Sequence, residues 1–243
     1  LEWSGAWEPH FKALPEWPVS KARTLSLVLL GGVLMSMARG PWIAAICGAA
    51  FTTIGRAKNR KRALFLALGV IVLVGLPAAA YLYSYASVGR AAARSQSQET
   101  AAYRKELIDK YLAIAVEHGM WGYGRNKWPR VDGMPSIDNY YLLLALMHGL
   151  IALSLLIAIL LWMPIRLLLH ALRSPAPAAI GSSLGFTLAG IYAVIAVSIA
   201  TVFMGTQVVP LFAILTGWSE GLLLPRREVV AEMPLFEFQR VVA

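Results

Sequence analysis

Between residues 123 and 150 the chain reads YGRNKWPRVDGMPSIDNYYLLLALMHGL, and the side chains with reactive potential stand at its turning point. A polar loop punctuated by Gly and Pro ends at Pro135. Ser136, Ile137, Asp138 and Asn139 follow, and a nearly unbroken apolar run begins at Tyr140. An acid and an amide therefore sit where a loop enters a helix of membrane length. Ser136 suits an N-cap, and Asp138 in the first turn complements the positive end of the helix dipole. Facing a site at the membrane surface, the same carboxylate can accept a proton from an attacking hydroxyl, and Asn139 can orient the acceptor or hold Asp138. Both readings of Asp138 stay open on local sequence.

Cationic candidates flank this acid. Arg39 separates two apolar runs, and a charge there must face water, headgroups or a protein cavity. It either snorkels to lipid phosphates or binds an anionic group of a substrate. Arg104, Arg125 and Arg130 lie in the long polar segment 89–139. Trp121, Tyr123 and Trp128 can stack on sugar faces or anchor the chain at the interface. His10 and His118 have no partner pattern around them. Arginine forks hold phosphate oxygens bidentately, so cations near an acid at a membrane surface suit a lipid-linked diphosphate substrate.

The elements that must position these residues follow from composition. The 243-residue chain is 58% hydrophobic and 14% charged, the balance of a polytopic membrane protein. The expected fold is all-α with about six transmembrane helices and an external amphipathic helix. Segment 1–21, with its Trp and Pro, is read as an interfacial loop. Segment 22–88 holds three spans, near 24–38, up to 54, and 63–85, with Pro77 kinking the third. Segment 89–139 is the external loop. Segment 140–225 holds three more spans, near 140–163, 180–204 and 208–224, and 226–243 is a cytoplasmic tail. Leu1-Glu2-Trp3 reads neither as a translation start nor as a signal peptide, so the chain is expected to be part of a longer one.

Charge gives the orientation. Arg56, Lys58, Arg60, Lys61 and Arg62 form a dense basic loop, which the positive-inside rule places in the cytoplasm. Arg166, His170 and Arg173, among Pro164, Pro175 and Pro177, make the second connection on that side, and Arg226 with Arg227 the third. The net charge of +9 is thus topology information, and no nucleic-acid role is expected. The single cysteine, Cys47, permits neither a disulfide framework nor a Cys-based metal site within the chain. Within the external loop, Tyr103, Leu107, Tyr111 and Ala115 recur at i+4, with Ile108 and Leu112 widening the stripe, over a helix at about 97–118. Gly119 is its stop. His148, roughly 13 Å deeper than Asn139 at 1.5 Å per residue, is expected to make a helix-packing hydrogen bond. Glu220 falls near the inner end of the sixth span.

These motifs resemble the O-antigen ligase and O-antigen polymerase family, in its C-terminal half, over about residues 30–160. In the ligases a His, any residue, then Asn, Ser or Gln is followed by nine residues and a Gly. Asn139 and Gly149 stand at that spacing, but the His position is Ile137. Ser136-Ile137-Asp138-Asn139-Tyr140-Tyr141-Leu142 is similar to an Asp-Asn variant among polymerase-like members. Met35-Ser36-Met37-Ala38-Arg39-Gly40-Pro41 resembles the family's Ser-Arg-Gly turn, and Gly122-Tyr123-Gly124 its Gly-aromatic-Gly turn.

The resemblance implies a metal-independent, cofactor-free glycosyltransferase in the bacterial inner membrane, multi-pass and active on the periplasmic face. It would move a glycan from undecaprenyl diphosphate to a glycan or lipid-core acceptor, as a polysaccharide polymerase or an O-antigen ligase. Asp138, Arg39 and Arg104 would be catalytic, and Asn139, Tyr140, Arg125 and Trp128 would bind substrate. The competing reading is a transporter or non-catalytic membrane component, in which His148 and Glu220 line a polar path.

Overall fold

The computed structural model describes residues 19–35, 39–125, 127–134, 136–173, 183–202, 204–205 and 208–224. All regular structure among them is helical. The Trp-rich segment before residue 19, the Ser36 to Ala38 turn, the Pro175 and Pro177 connection and the basic tail lie outside the described residues. The chain divides into two units, residues 1–28 with 224–243, and residues 29–223. The first is represented chiefly by the beginning of helix α1, Val19–Met35. Everything below concerns the second.

Helix α2, Arg39–Arg56, carries Pro41 in its first turn, where the missing N–H costs nothing. Helix α3, Arg60–Val70, is capped by Asn59, whose Oδ1 accepts from the Arg62 N–H at 3.0 Å. A π-helical stretch, Ile71–Gly75, then leads into α4, Leu76–Ala86. Pro77 has no N–H to give, and its ring crowds the carbonyl four residues back, so the expected irregularity is a widened turn on its N-terminal side. Helix α5, Gln96–Glu117, starts at Ser95, whose Oγ accepts from the Gln98 N–H at 3.2 Å. The buried Gln98 side chain ties the α4–α5 corner by accepting from the Arg94 N–H and donating to the Tyr85 carbonyl.

Helix α6, Tyr140–Arg173, covers 34 residues as two helical stretches joined at a kink at Gly149. It overruns the expected end near Met163. Pro164, Arg166, His170 and Arg173 belong to the helix and not to a connection. Packing overrides the proline, because Met163 and Leu167 on either side of it are buried against α7, Leu184–Ile199, and α8, Val208–Leu223. Arg166 is held in place by an ion pair with Glu220 of α8 and by the Trp162 ring 5.9 Å away.

Three hydrophobic clusters form among the described residues, the smallest around Ile54, Ala171 and Phe186, and the two larger ones position the site. One joins Leu160, Met163 and Leu167 of α6 to Leu188, Ala189, Tyr192 and Leu215. The other joins Leu107, Tyr111 and Ala115 of α5 to Leu142, Ala145 and Leu146 of α6. The external helix therefore docks by the expected stripe. Ile108 and Leu112 do not widen that contact; they face outward, at 41% and 45% exposure.

Helices α2 and α7 make the closest pairing, through small residues. A Cβ on Gly190 would stand 2.9 Å from Phe51 Cβ, and one on Gly48 would stand 2.8 Å from a Val194 methyl. Such contacts let apolar helices approach where lipid gives no hydrophobic drive between them. At the start of α3, the buried Arg60 donates to the Ala171 carbonyl at 3.1 Å.

Arg60–Ala86 and Tyr140–Arg173 are long and apolar enough to cross a membrane, and Leu184–Ile199 and Val208–Leu223 are apolar but shorter. The apolar window of Arg60–Ala86 is exposed throughout, a surface that suits lipid and not water. Gly190→Leu should force α2 and α7 apart, costing about 1–3 kcal/mol or more, and should lower the melting temperature of the detergent-solubilised protein. A melting curve unchanged from wild type would refute tight packing there.

Candidate functional site

The start of α6 differs from the local reading of its sequence. Asn139 is the cap: its Oδ1 accepts from the Leu142 N–H at 3.2 Å. Ser136 Oγ instead donates to Asp138 Oδ1, also at 3.2 Å. Asp138 thus precedes the helix and does not sit in its first turn. The two candidate caps compete, and the one nearer the true helix start wins because only its side chain reaches a free N–H. Asp138 is exposed, and the Ser136 hydroxyl is its hydrogen-bond partner among the described residues.

The far side of this turn rests on α5. Tyr103 Oη donates to the Ser136 carbonyl at 3.1 Å. Above the Tyr103 ring, at 5.2 Å, stands the guanidinium of Arg90. Arg90 Nη1 is also 3.8 Å from where a Cβ on Gly133 would be, so it lies against the loop that leads to Asp138. The hydrogen bond from Lys110 holds the Glu106 carboxyl below the usual carboxylate range, against the effect of burial, and the positive charges of Lys110 and then Arg90 add to this. A cation–π contact of this kind orients the arginine while leaving its fork free for an anion.

Arg90 did not stand out in the sequence, where it is one of several cations spread along the external loop. The signal that finds it is spatial: its guanidinium stands over Tyr103 and beside Gly133.

Arg104 is exposed on α5, one position past Tyr103, and Arg125 is exposed in the loop beyond Gly124. Trp128 packs partly buried against the α5–α6 core, so its ring supports the loop. Tyr140 is half-buried against the other core. Its neighbour Tyr141 donates to the Ala196 carbonyl at 2.9 Å and fastens the start of α6 to the C-terminal end of α7.

The start of α2 meets that same end of α7. A Cβ on Gly40, the residue after Arg39, would lie 2.0 Å from Thr201 Oγ1. The helix starts that carry Arg39 and Asn139 therefore share one end of the helix bundle. Only the backbone of Arg39 is among the described features.

His148 is exposed and makes no hydrogen bond among the described residues, so the expected packing contact is not its role. Glu220 is committed to Arg166 at the opposite end of α6. That end carries an apolar groove of about 550 Å³, lined by Leu155, Trp162, Met163, Thr216 and Glu220, remote from Asp138 along the chain. No three His, Cys, Asp or Glu side chains gather as metal ligands among the described residues.

Asn139→Ala should destabilise the protein by about 1 kcal/mol through loss of the cap, Asn139→Ser should recover most of that, and Ser136→Ala should cost little. Thermal unfolding in detergent micelles ranks the three, and a Ser136→Ala protein weaker than Asn139→Ala would return the cap to Ser136.

Comparison with known proteins gives one clear relationship. The profile described as O-antigen ligase matches residues 24–157, more than half of the chain and all of the site elements from α2 to the start of α6. No curated protein and no solved structure matches. With an all-helical fold and apolar helices of membrane length, this chain belongs to the O-antigen ligase family.

Proposed function

We propose that the protein is a six-span glycosyltransferase of the bacterial inner membrane, working at the periplasmic face. Its spans are α1, α2, Arg60–Ala86, α6, α7 and α8, and residues 89–139 form the external loop. The donor is a glycan on undecaprenyl diphosphate. The acceptor is a hydroxyl of a second glycan chain, as in polymerisation, or of a lipid core. Polymerisation fits the Asp-Asn pair at 138 and 139 better, because the ligase His position holds Ile137. The observation that carries the reading is the shared end of the bundle where α2 begins at Arg39 and α6 begins after Asp138, with Arg90 held over the ring of Tyr103, which itself reaches the Ser136 carbonyl.

The chemistry follows from these groups. Asp138 takes the proton of the acceptor hydroxyl as its oxygen bonds to the anomeric carbon of the donor sugar. The bond from that carbon to the diphosphate oxygen breaks, and the leaving diphosphate is stabilised by guanidinium groups. Arg39 and Arg90 are assigned this role, with Arg104 and Arg125 contributing at the rim. The Asn139 side chain caps α6 and fixes the direction in which Asp138 points. Trp128 and Tyr140 shape the loop and helix start against which the glycan lies. No resident metal is invoked, since arginine supplies the positive charge. The opposing transport reading relies on Glu220 and His148, and the first is occupied by an ion pair while the second faces outward.

The test uses cells lacking the native gene, complemented with the full-length protein. Asp138→Ala should lower glycan transfer by ~10²-fold or more, the usual worth of a general base, at unchanged membrane levels. Arg90→Ala and Arg39→Ala should each cut it by at least ~10-fold through lost charge-assisted contacts, and Arg104→Ala by less. Wild-type glycan from both Asp138→Ala and Arg90→Ala cells would remove the assignment.

A further inference from the structure

Inside the apolar run of α6, Gly149 leaves the helical conformation with φ 81° and ψ −180°. Such a break frees backbone groups that lipid cannot satisfy, and each would cost several kcal/mol if left bare. Here the turn after α5 satisfies them. Tyr123 N–H donates to the Leu146 carbonyl at 2.7 Å, Gly124 N–H donates to the Met147 carbonyl at 3.0 Å, and Leu150 N–H donates to the Gly119 carbonyl at 3.2 Å. The contact is backbone on backbone. A Cβ on Gly149 would lie 1.9 Å from the Met120 carbonyl oxygen, and one on Gly122, at φ 69°, would lie 2.5 Å from the Gly149 nitrogen. Both positions need glycine twice over, for the positive φ and for the space.

The break also divides what α6 packs against. Residues Leu142, Ala145 and Leu146 before it belong to the α5 core, and Leu160, Met163 and Leu167 after it belong to the α7–α8 core. The inserted turn is tied to α5 as well: His118 stacks on Tyr123 at 3.9 Å, and Tyr123 Oη donates to the Ile114 carbonyl at 3.3 Å. Further along the loop, the Val131 N–H donates to Tyr111 Oη, and Met134 is buried beside Leu107. The outer half of α6, the external helix and the loop leading to Asp138 are thereby joined on one side of the break.

We propose that residues 119–124 form a backbone latch that sets the aim of the outer half of α6, making Gly122 and Gly149 positioning residues for Asp138 and Asn139. An alanine at Gly149 favours a continuous helix, which would turn the Asp138 end relative to α7 and expel the turn. An alanine at Gly122 expels the turn without altering the sequence of α6. The inference rests on the glycosyl-transfer reading for its catalytic consequence alone.

The experiment has one readout tied to the reaction and one independent of it. In a full-length Cys47→Ala protein, a cysteine replacing the buried Met134 reports on loop docking through its rate of maleimide labelling. Gly122→Ala and Gly149→Ala should each raise that rate ~10-fold or more by local opening. Gly217→Ala, whose added methyl meets nothing within 4 Å, should leave it unchanged. In purified, monodisperse protein the two latch variants should lose about a hundredfold in kcat with donor KM nearly constant, the scale expected for misplacement by about 1 Å.

A glycine needed only for folding would lower the yield and leave kcat per folded molecule intact. Unchanged labelling in Gly122→Ala, or faster labelling with intact kcat, overturns the latch. If Gly149→Ala does not accumulate, Gly122→Ala decides. Failure of the transfer reading shows separately, as an active Asp138→Ala protein, and leaves the labelling result to judge the latch as a structural element.

Discussion

Backbone groups freed inside an apolar helix of membrane length need partners, and that constraint organises the part of this protein around Gly149. A straight α6 would satisfy itself. The helix that forms opens at Gly149, and its carbonyls at Leu146 and Met147 are met by the N–H groups of Tyr123 and Gly124. The external helix, the loop and the start of α6 then have to be built around that insertion. Leu107, Tyr111 and Ala115 close over Leu142 and Leu146, and Tyr103 reaches the Ser136 carbonyl. Among the described residues Asp138 is held by the Ser136 hydroxyl and by this docking.

The inner half depends on different forces. Gly48 and Gly190 let α2 and α7 meet at backbone distance, where dispersion replaces the missing hydrophobic drive. Polar groups are few among the described residues; buried Ser219 Oγ and Arg60 Nε have no hydrogen-bond partner there, while other groups tie helix ends together. Arg60 reaches a carbonyl at the end of α6, and Arg166 pairs with Glu220 across to α8. Basic residues that serve as topology signals in the sequence are thus also structural ties, since an arginine can cover an apolar surface with its stem and satisfy a carbonyl with its head.

At the outer face the electrostatics are arranged in layers. Exposed pairs on α5, Lys105 with Asp109 and Glu106 with Lys110, hold the helix surface in order and contribute little to stability because water screens them. Arg90, by contrast, is held over a ring and has no carboxylate within ion-pair reach among the described residues. An arginine so placed retains hydrogen-bonding capacity for an incoming anion. Arg104 has no ion pair among the described residues either, so the ring contact is what distinguishes Arg90 from it.

The sequence by itself determined the features that depend on near neighbours. Apolar run lengths located the described helices, the i+4 stripe identified the docking face of α5, and Pro77 marked an irregular turn. The acid–amide pair at 138 and 139 and the glycine spacing carried the family. Tertiary structure decided whatever depends on residues far apart in the chain. It moved the cap from Ser136 to Asn139, carried α6 through Pro164, opened the helix at Gly149 and brought Arg90 over the Tyr103 ring. Periodicity and propensity sum interactions over a few residues, whereas each of these outcomes is set by contacts between distant segments, whose strength a local pattern cannot register.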